Sequence, residues 1–174
     1  YNRLVKSNIP CLAFGSGEAT IDRIEILNGA GEPCRTFHTG DEMSLRIHYT
    51  AHQELERPVF GASIDNIQGD VMWGLHGLDA NFQPERIQPG PGSVDIHIPR
   101  LMLRPNSYEV ASAIQPPHLS TVIAALQKSV GFDVVPGPGM ESGGVMALGA
   151  DFRNLRPEAP LADSPVRDEP LSEA

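Results

Sequence analysis

The sequence predicts an all-β chain, an antiparallel β-sandwich of about eight strands. Three observations carry this. Apolar and polar residues alternate over short segments, turn residues recur every ~8–12 positions, and no stretch keeps a helical period for the length a helix needs. The 174 residues include 17 glycines and 16 prolines, a density that interrupts helices and suits strands joined by turns. A parallel sheet would need crossover connections of about a dozen residues, usually helical, and the spacing leaves no room for them.

Residues 1–14 are mixed in character and run into Gly15-Ser16-Gly17, which reads as a linker from something upstream, since the chain opens at Tyr1 without Met. The first strand lies in EATIDRIEIL, with Ile21, Ile24 and Ile26 on its apolar side and Asn28-Gly29-Ala30-Gly31 as its turn. After a short RTFHTG, the segment EMSLRIHYTA alternates most cleanly. Met43, Leu45, Ile47 and Tyr49 share one face, and Ser44, Arg46, His48 and Thr50 the other. RPVFGASIDN then sets Phe60, Ala62 and Ile64 inward, turns over Ile67-Gln68-Gly69-Asp70, and returns as VMWGLHG with Val71, Trp73 and Leu75 inward.

Beyond a polar loop, GSVDIHIP opposes Val94, Ile96 and Ile98 to Ser93, Asp95 and His97 and stops at Pro99. YEVASAI follows the Arg104–Ser107 turn, with Tyr108, Val110, Ser112 and Ile114 on one side and Glu109, Ala111 and Ala113 on the other. TVIAALQ fits a helical turn or a strand. SVGFDVV is a strand with Val130, Phe132 and Val134 inward, and the Pro-Gly-Pro-Gly run at 136–139 ends it. GGVMALG offers one last short strand. These segments form one sandwich domain over residues 15–150, of the immunoglobulin-like kind. Residues 151–174, rich in Pro, Asp, Glu and Ala without periodicity, read as a disordered acidic tail.

A formal net charge of −9 repels phosphate backbones and anionic lipid, so nucleic acid is not an expected partner. No stretch reaches the ~18–20 apolar residues of a membrane helix. Cys11 and Cys34 stand outside any C-x-x-C pattern, so neither a disulfide framework nor a zinc site is implied. The signatures G-x-x-x-x-G-K-[ST], G-x-S-x-G and H-E-x-x-H are missing, which removes the local marks of a nucleotide hydrolase, an α/β-hydrolase and a zinc protease. The histidines His38, His48, His52, His76, His97 and His118 scatter over different elements, and His48 and His97 point outward by alternation. Asp65, Asp70, Asp79 and Asp95 would make a glycosidase pair only if two stood ~5–10 Å apart across a cleft, and aspartates near turns usually form the turn. No catalytic group, metal or cofactor is expected.

The informative feature is a face. With Phe60, Ile64 and Leu75 turned inward, the opposite surface carries Gly61, Ser63, Gly74, Ala111 and Ala113. Side chains this small leave a shallow trough, and Asp65, Asn66, His76 and Gln115 would give its rim hydrogen-bonding groups suited to a sugar chain. A register slip of one residue would instead expose Trp73 for stacking on a pyranose. The same face would also serve packing against a partner domain or a second copy.

Several motifs fit a known family. These are G-x-G-E-A at Gly15–Ala19, I-L-N-G-A-G-E-P at Ile26–Pro33 and T-G-D-E at Thr39–Glu42, with P-V-F-G at Pro58–Gly61 and P-N-S-Y at Pro105–Tyr108. From about Gly15 to Leu148 the chain resembles the C-terminal domain of the ATP-binding subunit of O-antigen polysaccharide ABC exporters, the Wzt type. The resemblance implies an immunoglobulin-type sandwich, often a homodimer, that binds the finished glycan without catalysis. It also implies an upstream ATPase domain, a membrane permease as partner, and a place in the cytoplasm at the inner face of the bacterial inner membrane. The alternative is a structural or dimerisation domain of such an exporter with no ligand of its own.

Overall fold

A computed structural model describes residues 11–137 and 143–148. The described residues form strands without helices, so among them no helix is long and apolar enough to cross a membrane. In chain order the strands are β1 (Leu12–Phe14), β2 (Ala19–Asn28), β3 (Thr36–His38), β4 (Met43–Ala51), β5 (Leu55–Glu56) and β6 (Val59–Asn66). They continue as β7 (Val71–His76), β8 (Arg86–Ile87), β9 (Gly90–Ile98), β10 (Asn106–Gln115) and β11 (Ala124–Val135). The larger sheet runs β1-β11-β10-β6-β7, and the smaller runs β2-β4-β9. All pairs in both sheets are antiparallel except β3, which lies parallel to β11.

Strict alternation on β4 and β10 explains why the two sheets stack. Met43, Leu45 and Ile47 on β4 are 0 % exposed, as are Val110 and Ile114 on β10. Each such side chain contributes about 1.5–3 kcal/mol relative to its exposed state. The other side of β4 carries Ser44, Arg46 and His48, each only partly buried. At one end of the core Phe132 stacks on Tyr108 at 5.5 Å and meets Phe37 edge-on at 5.8 Å. The Tyr108 hydroxyl donates to the Arg104 carbonyl at 2.8 Å, so its one polar atom is satisfied.

The structure settles one open reading of the sequence and departs from it in three places. The ambiguous TVIAALQ is a strand from Ala124 onward, because Ala124–Leu126 pair with Ile114–Ser112 and run on into SVGFDVV as β11. The bend that obscured its period is a bulge. Register jumps from Val110↔Val130 to Ser112↔Leu126, so Gln127, Lys128 and Ser129 together oppose Ala111, with Lys128 at φ 54°. A second bulge at Met72 breaks β7 between Ile64↔Trp73 and Asp65↔Val71, which turns Val71 outward at 67 % exposure against the expected inward placement.

Leu12–Phe14, read as part of a connecting segment, pair with Gln127–Ala125 on the edge of β11. The chain leaves β1 through Gly15, whose φ is +148° and where a Cβ would collide with the Ile123 carbonyl, so only glycine passes so close. GGVMALG makes a single bridge, Leu103↔Met146, because it meets the 101–103 loop and not a sheet edge. The acidic tail 151–174 and most of the expected linker lie outside the described residues.

Candidate functional site

Register across the larger sheet builds the site. His76 on β7 stands opposite Gly61 on β6, Gly61 opposite Ala113 on β10, Ala113 opposite Ala125 on β11, and Ala125 opposite Phe14 on β1. Paired residues in an antiparallel sheet point to the same side, so these five form one row across five strands. Four strand spacings make the row ~19 Å long. Its centre is Gly-Ala-Ala, and its ends are an imidazole and a phenyl ring.

A second row runs beside the first through Gly74, Ser63 and Ala111, which are successively paired on β7, β6 and β10. The bulge at Gln127–Ser129 closes it on the β11 side. The two rows floor an open groove of about 410 Å³, with Val122 and Gln127 on its walls. A Cβ on Gly74 would meet only the Ala62 carbonyl, at 3.9 Å, so the space above it is groove and not core. Phe14 is 46 % exposed there.

Polar groups sit at the margins. The Asp79 carboxylate accepts from the His76 amide at 3.5 Å and stands 3.4 Å from His76 Nδ1. That nitrogen is buried without a hydrogen bond, so the pair attracts through space when the ring is protonated. Gln115 Nε2 donates to the Leu119 carbonyl at 3.4 Å, holding the loop at that end of the groove.

The structure therefore gathers Gly61, Ser63, Gly74, His76, Ala111, Ala113 and Gln115 around one groove. Three of the expected residues lie elsewhere. Trp73 pairs with the core residue Ile64 and packs partly against the core, on the opposite side of the sheet. Asn66 is occupied by its own turn, where its side-chain oxygen accepts from the Gln68 and Asp70 amides at 3.0 and 2.9 Å and its Nδ2 donates to Asp70 at 2.9 Å. Asp65 follows Ser63 on the same face but stands beyond the groove, opposite Glu109, with Oδ1 buried and lacking a hydrogen-bond partner.

Sequence reasoning missed Phe14, Ala125 and Gln127. Ala125 and Gln127 lay in the segment of mixed period, and Phe14 in the short L-A-F run before the glycines. An exposed aromatic in a three-residue apolar run was the signal available.

The outer face of the smaller sheet is chemically different. Arg46 grips Asp95 through two hydrogen bonds of 2.8 Å, and His48 Nε2 lies 2.6 Å from Glu25 Oε2. The Arg46 hydrogen bonds hold the Asp95 carboxyl below its ordinary range, and the His48 contact does the same for Glu25. Polar groups there are spent on one another across neighbouring strands. Among the described residues no group of three or more His, Cys, Asp or Glu is placed to hold a metal ion.

With this geometry in hand, comparison with known proteins is decisive for the family. The family model described as "Wzt C-terminal domain" matches residues 11–148. The chain belongs to the Wzt C-terminal domain family. The fold agrees, because a crystal structure of the C-terminal domain of Wzt superposes with a TM-score of 0.70 at 16 % identity, covering 83 % of this chain and 89 % of that one. This is the non-ATPase domain of a polysaccharide ABC exporter subunit. A Bacteroides uniformis β-glucuronidase (TM-score 0.45, 11 % identity, 63 % of this chain and 14 % of that one) is a weaker likeness. So is a Niemann-Pick type C2 protein from the Japanese carpenter ant (0.47, 8 %, 71 % and 99 %). Comparison with curated protein sequences finds no match.

Proposed function

We propose that this Wzt C-terminal domain is a non-catalytic recognition module that holds an O-antigen-type polysaccharide in the groove of its larger sheet for export. The row His76–Gly61–Ala113–Ala125–Phe14 carries the reading. A pyranose has apolar C–H faces and a belt of hydroxyls. The small floor lets such a ring approach the backbone, Phe14 offers a face to stack on, and His76, Ser63, Gln115 and Gln127 supply donors and acceptors to the hydroxyls. The trough is open and crosses the whole sheet, which suits a linear polymer better than a compact metabolite.

Affinity at one site is modest, because sugar hydroxyls exchange water hydrogen bonds for protein ones at little net gain. Two copies gripping one polymer would raise it by avidity, and that is the use of the homodimer this reading includes. Its partners are the exporter's ATPase domain and membrane permease, and its place is the cytoplasmic face of the inner membrane.

The test is an amide-shift titration with the polysaccharide made by the same cell. Shifts are expected at Gly61, Gly74, Ala113 and Gln127 and not on the Arg46–Asp95 face. Gly74→Leu should abolish them while leaving the unliganded spectrum otherwise intact. A titration without shifts at these positions defeats the proposal and favours a scaffolding domain.

A further inference from the structure

We infer that the groove selects uncharged glycans and rejects chains bearing carboxylate or phosphate groups; this deepens, and rests on, the glycan-binding reading above. Proteins bind anionic sugars by opposing them with arginine or lysine, usually through paired hydrogen bonds. No arginine or lysine lines this groove among the described residues, and its one formally charged lining group is the Asp79 carboxylate, whose side chain is 64 % exposed to an incoming ligand.

Acidic side chains also stand beyond one end of the floor. Asp65 and Glu109 stand opposite one another on the same face, two residues beyond Ser63 and Ala111. That is ~7 Å along the strands from the groove floor, within the ~8 Å screening length of physiological salt. Among the described residues, two cations near this face stand beside the floor and do not line it. Lys128 is in the bulge, and the Arg35 guanidinium donates to the Gly131 carbonyl at 2.8 Å on the β11 edge. The neutral polar groups on the walls match hydroxyls and amides, so an uncharged chain meets no charge repulsion on entering.

The experiment uses matched probes, so that charge is the only variable. An array carries neutral glucans, mannans and galactans, each beside its own C6-carboxylated form, and the protein is applied at 0.02 M and 0.5 M salt. Wherever a neutral member binds, its carboxylated form should bind at least about tenfold more weakly at low salt, and the gap should narrow at high salt. Gln127→Arg, which puts a guanidinium on the groove wall at an exposed bulge position, should shrink the gap several-fold. Equal or stronger binding of the carboxylated forms overturns the charge inference and leaves glycan binding standing. Binding of no member, with the protein folded and the cognate polymer also inert, overturns both.

Discussion

Phe14 offers the sharpest test of the groove, because its contribution can be sized from its exposure. A phenylalanine carries ~200 Å² of side-chain surface, so the 46 % left open at Phe14 is ~90 Å². Covering all of it would be worth ~2.3 kcal/mol at ~25 cal/mol per Å². A sugar ring stacks on one face only, which halves this to ~1.1 kcal/mol, or about sixfold in Kd, with about fortyfold as the ceiling. Phe14→Ala should therefore weaken polysaccharide binding by about five- to tenfold in calorimetry, and Phe14→Trp should restore it. The fold should survive, since β1 is a three-residue edge strand with Phe14 half in solvent. Val71→Ala, at an apolar position even more exposed than Phe14 but at the bulged end of β7, is the control and should bind normally. Unchanged affinity for Phe14→Ala, or equal loss for Val71→Ala, would refute stacking as the source of binding.

Other substitutions probe the frame. Ile47→Ala removes a side chain with 0 % exposure and should cost about 2–5 kcal/mol in denaturant unfolding. At Gly131 a Cβ would sit 2.9 Å from the Tyr108 carbonyl, so Gly131→Ala should force β11 from β10 and cost about 1–3 kcal/mol, seen as a lowered Tm. Gly74→Leu should leave Tm within error while lowering affinity at least about tenfold, since that side chain projects into the groove. Acid titration tests the smaller sheet. Glu25 and Asp95 have depressed folded-state values, so their stabilisation is present above the unfolded values near ~4.3 and ~3.9 and is lost as pH falls through the lower folded ones. Asp95→Asn should flatten that acid limb of the stability curve, and an unchanged limb would contradict the Arg46 pairing.

The sandwich was legible in the sequence wherever a strand buries one face regularly. In β4 and β10 every second residue meets the core, so period two survives intact from Met43 to Ile47 and from Tyr108 to Ile114. It failed where backbone geometry changes the period. One bulge at Gln127–Ser129 and another at Met72 shift which residues face outward, and nothing in residue type announces a shift of one or two positions. The groove floor on β6, β7 and β10 was readable because glycine and alanine opposite a core face leave little else for that face to be. Its Phe14 end was not, because β1 is held by a non-local pairing with β11, which local alternation cannot reveal. Asn66 misled for a different, local reason, since its own turn consumes its polar atoms.

The groove's floor is made of glycine, alanine and serine, and its distinguishing groups stand at strand ends, in a bulge and on an edge strand. Phe14, His76, Gln115 and Gln127 can each be exchanged without reaching the Met43–Leu45–Ile47 core. Mutations at the exposed Phe14 and Gln127 are of the surface kind that usually shifts stability by less than ~0.5 kcal/mol. Under the glycan-binding reading proposed above, these four positions could be changed to suit a different sugar while the scaffold beneath stays as it is.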